Sequence, residues 1–263
     1  AGGVAFPTAR ELEIPRSAEA LAEVIGAYLD EVHYPTRVVF ALDVSGSMRG
    51  RGIVDLRTAF ASLTGTVATE HGQNMQVLLL PFASEPGEIT PIEVTAANPG
   101  RGLGEIASYV AGLQPGGGTA LYATLVRADQ KIADEATQGR EHVTAVILIT
   151  DGHNTGATSL ADFRDQRTAL TTQRCTPRSR GRCQVPVFPV LVGEADEPEM
   201  RELADLTGGS VRDARNTDLG RVLRDREVDQ AGLDVVDDAL RRVERHDLDL
   251  AGLAGRLDAV GRA

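Results

Sequence analysis

Four strongly apolar runs constrain this chain most: Val38-Val39-Phe40-Ala41-Leu42, Met75–Phe82, Val143–Thr150 and Val185–Val192. Each is short, aliphatic and apolar at nearly every position, which is the pattern of a strand buried on both faces. Between and after them, apolar residues recur at helical spacing over about 54–70, 103–113, 120–136, 160–171, 197–207 and 218–226. Strands alternating with helices predict an α/β fold: a doubly wound, mostly parallel central sheet with helices on both faces. Glu88–Thr95 carries Ile89, Ile92 and Val94 just after a Gly/Pro turn. That spacing suits a hairpin and predicts one antiparallel edge strand. Val211, after Gly208-Gly209, is expected in a second, short edge strand.

The ends read differently. In residues 1–36 an amphipathic helix is predicted at Ala18–Val32, with Leu21, Val24, Ile25, Tyr28 and Leu29 on one face, Ser17 as N-cap and Pro35 closing the segment. From 227 the chain is helical in pattern but polar, with helices expected at Asp234–Arg245 and Asp249–Val260. The expected organisation is a lead-in segment at 1–36, one domain at 37–226 and a helical extension at 227–263. The extension is expected to dock on the domain or to pair its own two apolar stripes.

Composition narrows the class of function. The net charge of −11 argues against nonspecific binding to nucleic acid or to an anionic membrane surface. No run of about 18 apolar residues occurs, so no transmembrane helix is predicted. Aromatic residues make up 4% and Trp is absent, so the core must be aliphatic. Cys175 and Cys183 flank a Pro/Gly/Ser/Arg loop, short enough for a disulfide. Two surface thiols are the alternative, and a zinc site would need further ligands that are not near in sequence. A bridge would place the protein outside the cytosol. The sequence starts at Ala1 and shows no signal peptide, so a signal, anchor or whole domain is expected upstream in a longer protein.

The chemistry sits on three loops. Asp43-Val44-Ser45-Gly46-Ser47 follows the first apolar run, Thr119 follows Gly116-Gly117-Gly118 at a helix start, and Asp151 follows the third run. A parallel sheet brings such loops to its carboxyl edge, where ligands bind in open α/β folds. Two carboxylates and three hydroxyls there suit a hard, oxygen-preferring divalent cation such as Mg²⁺. Taken alone, Asp43, Ser45 and Ser47 also fit an Asx turn that caps a helix. The glycines lack a following Gly-Lys-Ser/Thr, which argues against a nucleotide loop. Ser45 has no nucleophile elbow and no matched histidine, so no catalytic triad is read.

Asp-x-Ser-x-Ser, the glycine-preceded Thr119 and Thr150-Asp151-Gly152 together resemble the metal-ion-dependent adhesion site of von Willebrand factor type A domains. The resemblance covers about residues 36–226. Leu-Asp-Val-Ser-Gly-Ser-Met, Gly-Gly-Gly-Thr-Ala-Leu-Tyr, Ile-Thr-Asp-Gly and Ala-Asp-Leu-Thr-Gly-Gly look like bacterial members. In one such group the domain follows an extracellular solute-binding-type domain, and the segment with Ile14-Pro15 and Tyr34-Pro35 is similar to that junction. The resemblance implies that Ser45, Ser47 and Thr119 hold a metal directly or through water, and that Asp43 and Asp151 act mainly through bound waters. The ion is expected to be Mg²⁺, with Mn²⁺ or Ca²⁺ as alternatives, and an Asp or Glu carboxylate of a protein partner is expected to complete it. Met48, Arg49, Gly118 and His153 are the expected partner-binding rim. The implied function is non-enzymatic, metal-dependent protein binding in an extracytoplasmic protein. The alternatives are a metal-assisted phosphoesterase using Asp43 and Asp151, and a structural or regulatory subunit of a transport-related complex.

Overall fold

The computed structural model describes residues 36–66, 74–138, 142–175, 185–193, 197–215 and 219. The expected helices at 18–32, 234–245 and 249–260 lie outside the described residues, and so does Cys183. Described in chain order are β1 (Thr36–Asp43), a 3-10 turn (Gly46–Met48), α1 (Arg51–Thr66), β2 (Met75–Phe82), β3 (Thr90–Val94), α2 (Pro99–Gly112), α3 (Leu121–Thr137), β4 (Val143–Thr150), α4 (Leu160–Arg174), β5 (Val187–Leu191), α5 (Glu197–Thr207) and β6 (Arg212–Asp213).

The sheet order is β3-β2-β1-β4-β5-β6. β3 runs antiparallel to β2, and every other pairing is parallel. From β1 the chain winds outward to β2 and β3, then returns to β4 on the other side of β1 and winds outward again. The winding therefore reverses between β1 and β4, the point where α/β sheets open a crevice beyond the strand ends. Their register places Leu42 beside Ile149, which aligns Asp43 with Thr150 at the carboxyl edge.

Alternation along β1 builds two cores. Val38, Phe40 and Leu42 pack with Ile53, Leu56 and Phe60 of α1 and with Leu103, Ile106 and Val110 of α2. Phe40 meets Phe60 edge to face at 5.0 Å, a favoured aromatic geometry. Val39 and Ala41 point to the opposite face, against Leu121, Tyr122 and Leu125 of α3, Phe163 of α4, and Met200 and Leu203 of α5. Both faces of the sheet are covered, which is why the strand runs are apolar throughout rather than alternating.

Local chemistry sets the helix ends. The Asn98 side chain accepts from the Arg101 amide and Pro99 takes the first helical turn, so α2 starts earlier than its apolar pattern. Gly102 lets α2 lie on the sheet edge, since a Cβ there would come within 2.6 Å of the Glu93 carbonyl. Ser159 and Asp162 form a capping box at the start of α4. Among the described residues no helix is long and apolar enough to cross a membrane.

Polar ties hold α3 along its length. The Tyr122 hydroxyl donates to Glu199 of α5 at 2.7 Å. The buried Asp129 carboxylate takes Arg167 and Arg174 of α4, each at 2.9 Å. Near the other end, Glu135 pairs with Arg37 of β1 and with Lys131 at 2.9 Å. Arg37 is 1% exposed and also donates to Gln76 of β2 at 2.7 Å.

Burial pushes the Glu135 carboxyl up, but the Lys131 hydrogen bond and the charges of Arg37 and Lys131 outweigh it, leaving the group below its ordinary 4.5. A depressed folded-state value means the pair's stabilisation is present above the unfolded value and is lost as pH falls through the folded one. Glu135→Leu, which removes the carboxylate facing buried Arg37, is predicted to cost about 3 kcal/mol. Urea denaturation at neutral pH should show that loss. The gap between variant and wild type should shrink as the titration is taken below pH 4.5.

Candidate functional site

The site begins where β1 ends. Asp43 is fully buried. Its Oδ1 accepts from the Ser45 amide at 2.8 Å, and its Oδ2 accepts from the Thr150 hydroxyl at 2.6 Å. The first contact is an Asx turn, which bends the chain away from the strand. The second locks Asp43 to the neighbouring β4. The turn and the five-residue constellation are therefore not competing readings, because the turn positions the hydroxyls that follow.

Ser45 Oγ lies 2.9 Å from Ser47 Oγ, and Ser47 Oγ donates to Asp151 Oδ1 at 2.7 Å. A Cβ built on Gly152 would sit 3.5 Å from Ser47 Oγ and 3.7 Å from Thr119 Oγ1. Glycine at 152 thus keeps open a cradle faced by both hydroxyls. Ser45, Thr119 and Asp151 are buried, whereas Ser47 is exposed and marks the open side.

Close backbone packing fixes these loops. The Gly46 amide donates to the Gly117 carbonyl at 3.0 Å, and a Cβ at 46 would meet that oxygen at 3.2 Å. Gly193 adopts φ +60 after β5, and a Cβ there would lie 2.9 Å from the Asp151 Cβ. The loop after β5 therefore closes directly under Asp151, at a position where glycine is required.

The electrostatics are one-sided. Burial raises the pKa of Asp43 despite the donors from Thr150 and Ser45. Burial also raises that of Asp151, the Asp43 charge adds to the rise, and the Ser47 hydrogen bond opposes it. Among the described residues, no arginine or lysine pairs with either carboxylate. Nor is there any group of three or more His, Cys, Asp and Glu side chains in metal-binding proximity. The donors gathered here are two carboxylates and three hydroxyls, a set suited to a hard cation and unsuited to zinc.

The rim differs from its sequence reading at one position. Met48 is fully buried and packs in the core beneath α1, with its sulfur close under Gly52. The 3-10 turn rotates it inward, because an apolar side chain at that step gains more from the core than from solvent. Arg49 and His153 are exposed. Gly118 is partly exposed and its amide donates to Ser84 Oγ at 2.8 Å.

Several residues that shape the site are not among its expected ligands. Thr150 is one, although a hydroxyl closing an otherwise apolar strand beside an aspartate is a visible signal. Ser84, Asn154 and Thr155 are others. They contact the Thr119 loop across 33 to 36 residues of sequence, a separation that spacing alone does not reveal. Thr150→Val keeps the shape and removes a donor to a buried carboxylate. It is predicted to lower stability by about 2 kcal/mol, measured by chemical denaturation without divalent ions.

Residues 38–222 match the family model of the von Willebrand factor type A domain. The chain is 32% identical over 124 residues to inter-alpha-trypsin inhibitor heavy chain H4 of Bos taurus, covering 46% of this chain and 13% of that protein. The Sus scrofa counterpart is 33% identical over 125 residues, with the same coverage. This chain thus spans about 13% of the length of the curated relatives it matches. Among solved structures, a von Willebrand factor type A protein from Catenulispora acidiphila superposes with a TM-score of 0.50 at 15% identity, covering 81% of this chain and 42% of that one. With the family model spanning most of its length, the chain belongs to the von Willebrand factor type A domain family.

Proposed function

We propose that this chain is a divalent-metal-dependent protein-binding module whose site lies between the loops after β1 and β4. The observation that carries the reading is the pair of buried carboxylates, Asp43 and Asp151, without a cationic partner among the described residues. Buried negative charge is costly unless it is paired or metal-bound. The cradle beside Gly152, faced by the hydroxyls of Ser47 and Thr119, supplies room and oxygen donors.

In this reading Ser45, Ser47 and Thr119 hold the ion directly or through water. Asp43 and Asp151 hold it mainly through waters. Both Asp43 oxygens already accept protein hydrogen bonds, which fits a carboxylate acting at second hand through its remaining lone pairs. Mg²⁺ is the proposed ion, with Mn²⁺ and Ca²⁺ as competitors. A bound ion supplies an electrophilic position for an Asp or Glu carboxylate of a partner. Arg49, Gly118 and His153 flank that position, and the role is binding rather than turnover.

The wider assignment is proposed with it. Residues 37–226 form the module, 1–36 lead in from an upstream solute-binding-type domain as in bacterial members, and 227–263 extend it as helices. A Cys175–Cys183 bridge supports an extracytoplasmic location. Mass analysis of the unreduced chain should find that linkage, and free thiols on both residues would remove this support.

Mg²⁺ at a hundred times its dissociation constant is predicted to stabilise the folded chain by about 2.7 kcal/mol. Asp151→Ala should erase that gain and abolish capture of a protein partner while circular dichroism stays native. Capture that survives chelation would sink the proposal.

A further inference from the structure

We infer that Asn154 and Thr155 are positioning residues that clamp the Thr119 loop to the Asp151 loop, so that both present their oxygens as one body. The inference rests on the metal reading above and concerns residues outside the motif.

A helix begins with amide groups that have no partner of their own, usually satisfied by the side chain of the residue at the N-cap. At α3 that residue is Ala120, which cannot cap. Amides leading into this start are taken by other loops. Leu121 donates to Asn154 Oδ1 at 3.1 Å, Ala120 to the Ala83 carbonyl at 2.6 Å, and Gly118 to Ser84 Oγ at 2.8 Å. Thr119 donates to Thr155 Oγ1 at 2.7 Å. In return the Thr119 carbonyl accepts from the Thr155 and Gly156 amides at 2.9 and 3.2 Å.

Thr119 and Thr155 therefore hold each other through both main chain and side chain. The Asn154 amide is fixed from behind, since its Nδ2 donates to the carbonyls of Gly156 and Thr158 at 3.2 and 2.8 Å. Its oxygen is thereby aimed at α3. Gly156 must be small here, because a Cβ would meet Ala120 Cα at 3.0 Å. The Thr155 side chain is on the exposed surface, yet it serves the amide of a buried residue that carries one of the site's hydroxyls. Core packing does not require a hydroxyl at an exposed position, whereas placement of Thr119 does.

The test is Mg²⁺ binding by calorimetry to the full chain, with the thermal midpoint of the metal-free protein recorded alongside. Thr155→Val is expected to weaken Mg²⁺ binding about tenfold, the scale of one lost hydrogen bond to a buried amide. Thr155→Ser, which keeps the acceptor, should stay within about twofold of wild type. The Mn²⁺ resonance spectrum should change in Thr155→Val and not in Thr155→Ser. Asn154→Ala is a second variant and should also weaken Mg²⁺ binding.

Unchanged Mg²⁺ affinity in Thr155→Val, or a Ser variant as weak as the Val variant, overturns the clamp and leaves the metal reading standing. A lowered metal-free midpoint with wild-type affinity assigns these residues to stability alone and overturns it too. A wild-type chain that takes up no Mg²⁺ overturns the metal reading first and the clamp with it.

Discussion

Two carboxylates are withdrawn from water at the reversal point of the sheet with no cation beside them among the described residues, and the surrounding architecture serves that arrangement. Asp43 sits there because the parallel register of β1 and β4 aligns it with Thr150, whose hydroxyl stabilises its ionised form. Asp151 sits there because it is the first residue beyond β4, with Gly193 packed beneath it. Burial works against ionisation of both groups, and their mutual repulsion adds to the penalty on Asp151. Here hydroxyls are placed around them, which orient the carboxylates without neutralising them.

Much of this was legible in the residues. The apolar runs gave the strands because strands covered on both faces leave a continuous signal, and Val38–Leu42 and Val143–Thr150 are the clearest cases. The antiparallel edge was readable from the Gly/Pro turn before β3. Helix starts were less so. α2 begins at Pro99 because of the Asn98 cap, and α1 begins at Arg51, within the glycine-rich turn. Both starts are decided by backbone chemistry outside the apolar periodicity.

The site divides in the same way. Asp43, Ser45 and Ser47 lie close in sequence, and the edge rule for parallel sheets brings Asp151 to them. Thr119 lies between α2 and α3, and backbone hydrogen bonds from Gly46 to Gly117 and from Gly116 to Val44 hold its loop there. Met48, expected on the partner-binding rim, is instead carried into the core by the 3-10 turn. Thr155 and Ser84 were invisible for a different reason. Each meets the Thr119 loop through a hydrogen bond between distant segments, and a polar residue in a surface loop has no distinguishing pattern before folding.

The ties along α3 bear on how a change at Thr119 could travel. Asn154 holds the start of the helix, Glu199 takes Tyr122 in its first turn, Arg167 and Arg174 hold its middle, and Arg37 holds its end. A rod fastened to the loop after β4, two neighbouring helices and the first strand is anchored along its length rather than at one end alone. Its tip is tied to the segments around Ser84 and Asn154. A displacement at Thr119 would meet these ties before any longer movement of the helix.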